Sequence, residues 1–163
     1  TYLVIMNSII SRTVLRAGLV AGVLDIIAAI LINVVFKGQT TVTKLLQYIA
    51  SGLIGKTAFG NGFATAALGL LLHFAIAFIF TIIFVLLYPR LKIAHTQPLL
   101  AGIVYGILVW LVMNAIVIPI AFAKDFKFNF QAQWLGIIVI IACVGIPVAL
   151  ITRKMLGSRR VAV

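Results

Sequence analysis

Acidic side chains are almost absent from this sequence. Its 163 residues include two aspartates and no glutamate. Enzymes that work with a pair of carboxylates are therefore excluded. The chain also lacks a His-Glu-x-x-His motif, a Gly-x-Ser-x-Gly nucleophile motif and a phosphate-binding loop. We therefore expect no enzymatic activity.

Cysteine and charge are scarce as well. Cys143 is the only cysteine, which excludes an internal disulfide and a cysteine-ligated cluster, and we predict no metal site. Charged residues make up 9% of the chain and hydrophobic residues 64%, whereas about a quarter of a typical soluble domain is charged. A water-soluble globular protein is excluded, because the solvent for most of a chain this apolar is lipid.

The few charges are nearly all basic. Thirteen lysines and arginines against two acids give a net charge of +11. In a soluble protein this balance would indicate a nucleic-acid partner. Here the basic residues lie between and beside long apolar runs, where they meet anionic headgroups and set the orientation of the chain. The predicted partner is therefore the lipid bilayer, and no nucleic acid is expected.

Four apolar runs dominate the chain. They cover residues 17–36, 63–88, 99–123 and 134–152. Runs of about 20 apolar residues are long enough to cross the hydrocarbon core of a bilayer as helices. We therefore predict an all-α membrane protein, a bundle of four transmembrane helices that forms a single domain over residues 1–163.

The connection between the first two runs carries an amphipathic pattern. Five apolar residues recur at helical spacing, and they are Val42, Leu45, Leu46, Ile49 and Leu53. Polar residues, Gln47 among them, fall elsewhere on the helical wheel. The pattern predicts a short helix over residues 42–54 that lies in the outer membrane interface.

The basic residues predict the orientation. If the N-terminus is cytoplasmic, eight of them lie inside, namely Arg12, Arg16, Arg90, Lys92, Arg153, Lys154, Arg159 and Arg160. Five lie outside, namely Lys37, Lys44, Lys56, Lys124 and Lys127. All arginines then share one side, so the positive-inside rule favours a topology with both chain ends in the cytoplasm.

The first and third runs resemble each other. "AGLVAGVL" at residues 17–24 aligns with "AGIVYGIL" at residues 101–108. Both contain a Gly-x-x-x-Gly motif, Gly18 with Gly22 and Gly102 with Gly106, and this motif lets helix backbones approach closely in lipid. We expect tight packing through these two helices. A duplicated helical hairpin would explain the resemblance.

Asp25 and His73 are ionisable residues within the apolar runs. Asp25 lies about 12 Å from the inner boundary and His73 about 15 Å from the outer one, at 1.5 Å per residue. The two depths nearly coincide in a core about 30 Å thick. Asp25 also follows Gly22 by three positions, so we expect it to face the interior. The pair either accepts a proton or contacts a polar substrate, or it joins the helices by a hydrogen bond.

A second polar level and two helix bends are predicted nearer the ends of the runs. Asn33 and Asn114 both lie close to the outer boundary. Pro119 and Pro147 interrupt the third and fourth runs, where a proline frees a carbonyl group and bends the helix.

His73 also allows a cofactor. A neutral imidazole is a usual axial ligand of haem or chlorin, so single-histidine ligation at His73 is an open alternative. A bis-histidine site is excluded, because His95, the only other histidine, lies in a connection at the wrong depth and is expected to be solvated. No other cofactor is predicted.

The second half of the chain resembles a known family. "HFAIAFIFTIIFVLLYPRLKI" at residues 73–93 precedes "LLAGIVYGILVWLVMNAIVIPI" at residues 99–120. This stretch consists of a span with a histidine, an aromatic-Pro-x-Leu-Lys connection and a Leu-Ala-Gly span that ends near a proline. In this layout it resembles the YagU-type family of bacterial inner-membrane proteins of unknown function. The resemblance implies location in the bacterial inner membrane and a helical bundle, without an activity.

Three functions stay open from the sequence. The first is an accessory or scaffold subunit that acts through helix–helix and lipid contacts, because the glycine motifs can serve a neighbouring subunit as well as the same chain. The second is a small proton-linked transporter that uses Asp25 and His73. Such a transporter would form a homodimer, since four helices enclose little space. The third is haem or chlorin binding by His73.

Overall fold

The computed structural model describes residues 2–60, 62–122 and 130–157. Every secondary-structure element in these ranges is helical, which confirms the predicted all-α class. The α-helices are α1 (Tyr2–Ile30), α2 (Val42–Ile54), α3 (Gly62–Leu87), α4 (Lys92–Thr96), α5 (Pro98–Val112), α6 (Ile118–Ala121), α7 (Phe130–Ile140) and α8 (Ile146–Leu156). Short 3₁₀ turns cover Gly55–Phe59 and Tyr88–Arg90.

Three π-helical segments lie within or at the end of the long helices. They are Leu31–Phe36 after α1, Met113–Val117 between α5 and α6, and Ile141–Gly145 between α7 and α8. A π-helical turn widens the backbone spiral by one residue, and such turns occur often at functional sites. No pattern in the sequence predicts these segments.

Four helical stretches in the described part of the chain are long and apolar enough to cross a membrane. They are Ser8–Phe36, Gly62–Arg90, Pro98–Ala121 and Trp134–Leu156, here called spans 1 to 4. The chain is thus a multi-pass membrane protein. The helix of span 1 begins at Tyr2, well before the predicted start at residue 17. No proline or glycine interrupts that stretch, and arginine is a good helix former.

The spans alternate in direction, so that four described arginines share one end. These residues are Arg12, Arg16, Arg90 and Arg153, and we call this end of the molecule the arginine end. Four other residues of the predicted charge pattern, Lys124, Lys127, Arg159 and Arg160, lie outside the described residues. So does residue 123, the predicted end of the third run.

The half of the molecule nearer the arginine end holds a closely packed apolar core. All four spans contribute to it, with Ala17, Phe84, Tyr105 and Val148 among the buried side chains. The Tyr105 ring packs edge-on against Phe84 with ring centroids 4.8 Å apart, and its hydroxyl donates a hydrogen bond to the Phe80 carbonyl. Tyr105 therefore joins span 3 to span 2 by both a ring contact and a polar contact.

Tyr105→Phe is expected to lower the free energy of unfolding by about 1 kcal/mol, because it removes one buried hydrogen bond and keeps the ring. Tyr105→Leu loses the edge-on contact with Phe84 as well and should cost more. Thermal unfolding of the purified chain in one detergent checks both variants. Equal stabilities of Tyr105→Phe and the unchanged chain would show that the hydroxyl contributes nothing.

The first glycine motif packs on span 2. A Cβ atom built on Gly18 would lie 2.5 Å from Cδ1 of Phe78, and one on Gly22 would lie 2.7 Å from Cδ1 of Phe74. Real side chains do not approach so closely, so an alanine at either position would force the phenylalanine ring to shift. The motif thus accommodates two aromatic rings of α3.

The second glycine motif packs on span 4. A Cβ atom on Gly102 would lie 2.7 Å from the Ile146 Cα, and one on Gly106 would lie 2.7 Å from the Ile141 Cα. The sequence predicts close packing at these glycines and leaves the packing partner of each motif open. Each motif packs on the span that follows it, because its shallow groove is filled by the antiparallel neighbour. A duplicated hairpin would have this arrangement, and duplication stays a prediction.

Helix α2 occupies the predicted residues, but its buried face differs from that of an interfacial helix. Such a helix would turn Gln47 toward water, yet Gln47 is only 5% exposed, whereas Leu53 is 66% exposed. The Gln47 side-chain amide donates to the Gly62 carbonyl at 2.9 Å and to the Thr65 hydroxyl at 3.3 Å. In lipid an apolar side chain is stable on the outer surface, so the polar group is the one that must find partners inside.

The opposite side of α2 reaches the end of span 3. Tyr48 stacks on Phe122 with ring centroids 4.8 Å apart and planes 6° from parallel. A Cβ atom on Gly52 would lie 3.2 Å from the Ala121 Cβ. Helix α2 therefore bridges span 2 and span 3 at the end of the molecule away from the arginines. Its location in a membrane interface stays a prediction.

Candidate functional site

His73 bonds span 1 at the level of Asp25. Asp25 lies eleven residues before Phe36 and His73 lies eleven residues after Gly62, so each is about 16 Å from the end opposite the arginines. His73 Nε2 is 2.9 Å from the Gly22 carbonyl oxygen, one turn before Asp25 on span 1. The two residues therefore share a level, and His73 bonds the helix that carries Asp25.

The contact with Gly22 determines which imidazole nitrogen keeps its hydrogen. A carbonyl oxygen accepts hydrogen bonds and cannot donate them, so Nε2 of His73 must carry the hydrogen. In the neutral ring, Nδ1 is then the nitrogen without a hydrogen. Gly22 permits this contact, because its missing side chain leaves room for Phe74, whose ring lies edge-on to His73 at 5.6 Å.

Asp25 lacks the partners that a membrane carboxyl group needs. It is half-buried, and within the described ranges no group donates a hydrogen bond to it. The π-helical segment of span 4, which carries Cys143, packs against α1. Span 1 therefore lies between spans 2 and 4 in this region. An ionised carboxylate without hydrogen bonds is costly in an apolar interior unless a cation or a proton accompanies it.

The two asparagines do not join this site. The Asn33 amide donates to the Ala29 carbonyl at 2.9 Å, and the Asn114 amide donates to the Trp110 carbonyl at 2.9 Å. Each asparagine lies in a π-helical segment and bonds the carbonyl four residues before it. Their described contacts are within their own helices.

The two prolines explain two of the π-helical segments. Pro119 follows Val117 by two residues, and Pro147 follows Gly145 by two residues, so the spacing is the same in both spans. Proline lacks the N–H that would bond four residues back, and its ring collides with the carbonyl there. A widened turn before the ring relieves both conflicts. In span 4 this turn carries Cys143.

The haem or chlorin alternative meets an obstacle at His73. Its Nε2 donates to the Gly22 carbonyl, so this nitrogen is unavailable to an iron or magnesium ion in the present arrangement. His95 differs from the solvated residue expected from the sequence. Its ring packs on Tyr88 at 4.3 Å, and its Nε2 is buried without a hydrogen-bond partner. In the described residues, no three His, Cys, Asp or Glu side chains are grouped to hold a metal ion.

Sequence reasoning thus found the two ionisable residues and missed their surroundings. Depth along a helix follows from residue counting, whereas Cys143 and the Gly22 carbonyl depend on helix rotation and packing. The resemblance to the YagU-type family stays a prediction. The chain matches no protein-family model, no curated protein and no solved structure.

Proposed function

We propose that this chain is a small proton-linked transporter of the bacterial inner membrane in which Asp25 and His73 take up and release the proton. The observation that carries the proposal is the Asp25 carboxyl group, which is half-buried in the middle of span 1 and receives no hydrogen bond from any described group. Ionisable residues at this depth are functional by default, because a merely structural role can be filled at lower cost.

The packing of the glycines favours transport over the accessory function. An accessory subunit would offer its Gly-x-x-x-Gly motifs to a neighbouring protein. Gly18 and Gly22 are covered by phenylalanine rings of span 2, and Gly102 and Gly106 by the backbone of span 4. The glycine surfaces that another subunit would bind are therefore covered by neighbouring helices of the same chain. If Asp25 only stabilises the fold, the accessory function is the better interpretation.

The proton step uses two groups with different tasks. The Gly22 carbonyl holds Nε2–H of His73 in place, so only Nδ1 exchanges a proton while the ring stays anchored. Asp25 is stable either as the neutral acid or as the partner of a protonated His73. The two residues share a level, and we assign the proton to the pair.

The arginine end supports the orientation. Arg12, Arg16, Arg90 and Arg153 are exposed at one end of the spans, and arginines are retained on the cytoplasmic side. We place both chain ends in the cytoplasm. We also infer a homodimer, because four helices leave little room for a substrate path.

Proton flux into vesicles tests the proposal. The purified chain is reconstituted in liposomes that contain a pH-sensitive dye, and a potassium gradient with valinomycin imposes a membrane potential. We expect acidification faster than in protein-free vesicles. Asp25→Asn should reduce the rate to that of protein-free vesicles, because the amide cannot take up a proton.

Asp125→Asn is the matched control, since it makes the same chemical change at the only other acid of the chain. This variant should keep the full rate. Asp25→Glu should keep part of it, which separates the loss of the carboxyl group from a folding defect. If the unchanged chain and Asp25→Asn conduct protons equally, or if all folded variants match protein-free vesicles, the transport proposal is wrong.

A further inference from the structure

We infer that one anionic phospholipid binds along span 1, with its phosphate held by Arg12 and Arg16. The inference goes beyond the proposed function and does not depend on it. It concerns a row of exposed side chains on one side of the helix, here called the span 1 stripe. This stripe consists of Arg12, Arg16, Leu19, Val20, Val23 and Ile27.

The two arginines form a pair of like charges on one helical face. Arg12 and Arg16 lie four residues apart in α1, and both are exposed. Residues at this spacing are neighbours on the helix surface, where two like charges repel each other. Among the described lysines and arginines, no other two share a helix at a spacing of three or four residues. An anion bound between these two side chains would relieve the repulsion.

The acids of the chain are too far away to be that anion. Asp25 follows Arg16 by nine residues, which is about 14 Å along the helix and about two and a half turns around it. Asp25 therefore projects from the side of α1 opposite Arg16. The other acid, Asp125, follows span 3 in the sequence, and span 3 ends away from the arginines. The anion that offsets the pair therefore comes from outside the described chain.

The pair lies at the level of lipid headgroups. Residues 17–36 contain no lysine or arginine, and twenty helical residues are about 30 Å long, which is the thickness of the hydrocarbon core of a bilayer. Arg16 then lies at the edge of the hydrocarbon, and Arg12 lies about 6 Å farther out, one helical turn away. Phospholipids carry their phosphates in this layer.

Apolar side chains continue the span 1 stripe into the hydrocarbon. Leu19, Val20, Val23 and Ile27 follow Arg16 on the same side of the helix, and each is between 40% and 47% exposed. A phospholipid matches this order, since its acyl chains extend from its phosphate. Soluble anions such as inorganic phosphate or a nucleic acid match only the two arginines. The continuity of the stripe therefore favours a lipid.

The guanidinium groups determine which lipid binds. A guanidinium donates two parallel hydrogen bonds to phosphate oxygens. Phosphatidylglycerol keeps a net negative charge, whereas phosphatidylcholine carries a quaternary ammonium that cancels the charge of its phosphate. Basic residues at the membrane surface attract anionic lipids. The span 1 stripe should therefore select phosphatidylglycerol over phosphatidylcholine.

Native mass spectrometry of the full chain, released from a neutral detergent, tests the inference. Phosphatidylglycerol is titrated into the sample, and phosphatidylcholine with the same acyl chains is the comparison. We expect one phosphatidylglycerol to bind about thirtyfold more tightly than phosphatidylcholine, or about fivefold for each arginine near the phosphate. Arg12→Gln combined with Arg16→Gln should reduce phosphatidylglycerol binding to the level of phosphatidylcholine.

Arg90→Gln combined with Lys92→Gln is the matched control, because it removes two exposed cations from the same end of the molecule. This variant should keep most of the preference for phosphatidylglycerol. Arg12→Lys combined with Arg16→Lys should keep part of it, because lysine retains the charge without the paired hydrogen bonds. Similar thermal unfolding of all three double variants shows that they fold.

Three results would overturn the inference. The first is the absence of a bound phosphatidylglycerol on the unchanged chain. The second is an equal loss of binding in the two glutamine double variants, since net charge alone would then attract the lipid. The third is displacement of phosphatidylglycerol by an equal concentration of inorganic phosphate or of an oligonucleotide, which would show that the arginines bind a soluble anion. Proton flux in the dye assay is a separate readout, because neither arginine belongs to the Asp25–His73 pair.

Discussion

Gly145→Ala is expected to separate span 4 from span 3 and to lower the free energy of unfolding by about 3 kcal/mol, the upper end of the usual cost of overpacking. A Cβ atom at Gly145 would overlap the Gly102 carbonyl oxygen and lie 2.8 Å from the Gly106 Cα and backbone nitrogen. All three are backbone atoms, so no side-chain rotation can relieve the overlap. The helices must move apart, which loses contacts along the whole interface.

Thermal unfolding of the detergent-purified protein and its yield as a single species measure this effect. Gly136→Ala is the matched control in the same span, because its nearest neighbour is Trp110 Nε1 at 3.6 Å, an ordinary contact distance. Gly136→Ala should unfold within a degree or two of the unchanged chain. If the two alanine variants were equally stable, spans 3 and 4 would not meet as closely as described.

Gly69→Ala should detach α2 from span 2 at a cost of about 2 kcal/mol or more. A Cβ atom at Gly69 would overlap the Leu46 carbonyl oxygen and lie 3.3 Å from the Ala50 backbone nitrogen. The clash again involves backbone, so α2 must shift as a unit. Its shift would also pull Gln47 from the Gly62 carbonyl and leave that side chain without its partner.

Chemical labelling of a buried cysteine reports this displacement. Ala50 is fully buried, so Ala50→Cys in a Cys143→Ala background should react slowly with a thiol reagent. Adding Gly69→Ala should make the reaction fast. Adding Gly60→Ala instead should leave it slow, because the nearest atom to a Cβ there is the Thr57 carbonyl oxygen at 3.7 Å. Slow labelling in the presence of Gly69→Ala would show that α2 does not depend on this contact.

Some features of this protein depend on local sequence alone. Four apolar runs predict four long helices, because every backbone polar group in lipid must be bonded within its own helix. The 3.6-residue pattern predicted α2 at the residues where it occurs. Counting residues along spans 1 and 2 predicted that Asp25 and His73 share a level, since the rise per residue is constant along a helix.

Other features depend on how the helices rotate and pack. The glycine motifs predicted close approach but not the partner, and the structure pairs span 1 with span 2 and span 3 with span 4. The polar side of α2 was expected to face water, but Gln47 points to span 2, because a polar group finds its hydrogen bonds there. The widened turns before Pro119 and Pro147 change the direction in which the later side chains of the same helix point. Counting residues at a constant helical pitch does not predict this change.

The sequence alone therefore determined the lipid environment, the number of spans and the depth of the one carboxyl group within them. Only the tertiary structure decided that His73 bonds the Gly22 carbonyl, that the Ile141–Gly145 segment packs on α1, and that Asp25 receives no hydrogen bond from the described residues. The physical reason is that position along a helix is set by bonds within the helix, whereas position around its axis is set by the side chains of neighbouring helices. In this protein the Phe74 and Phe78 rings against Gly22 and Gly18 set that rotation for spans 1 and 2.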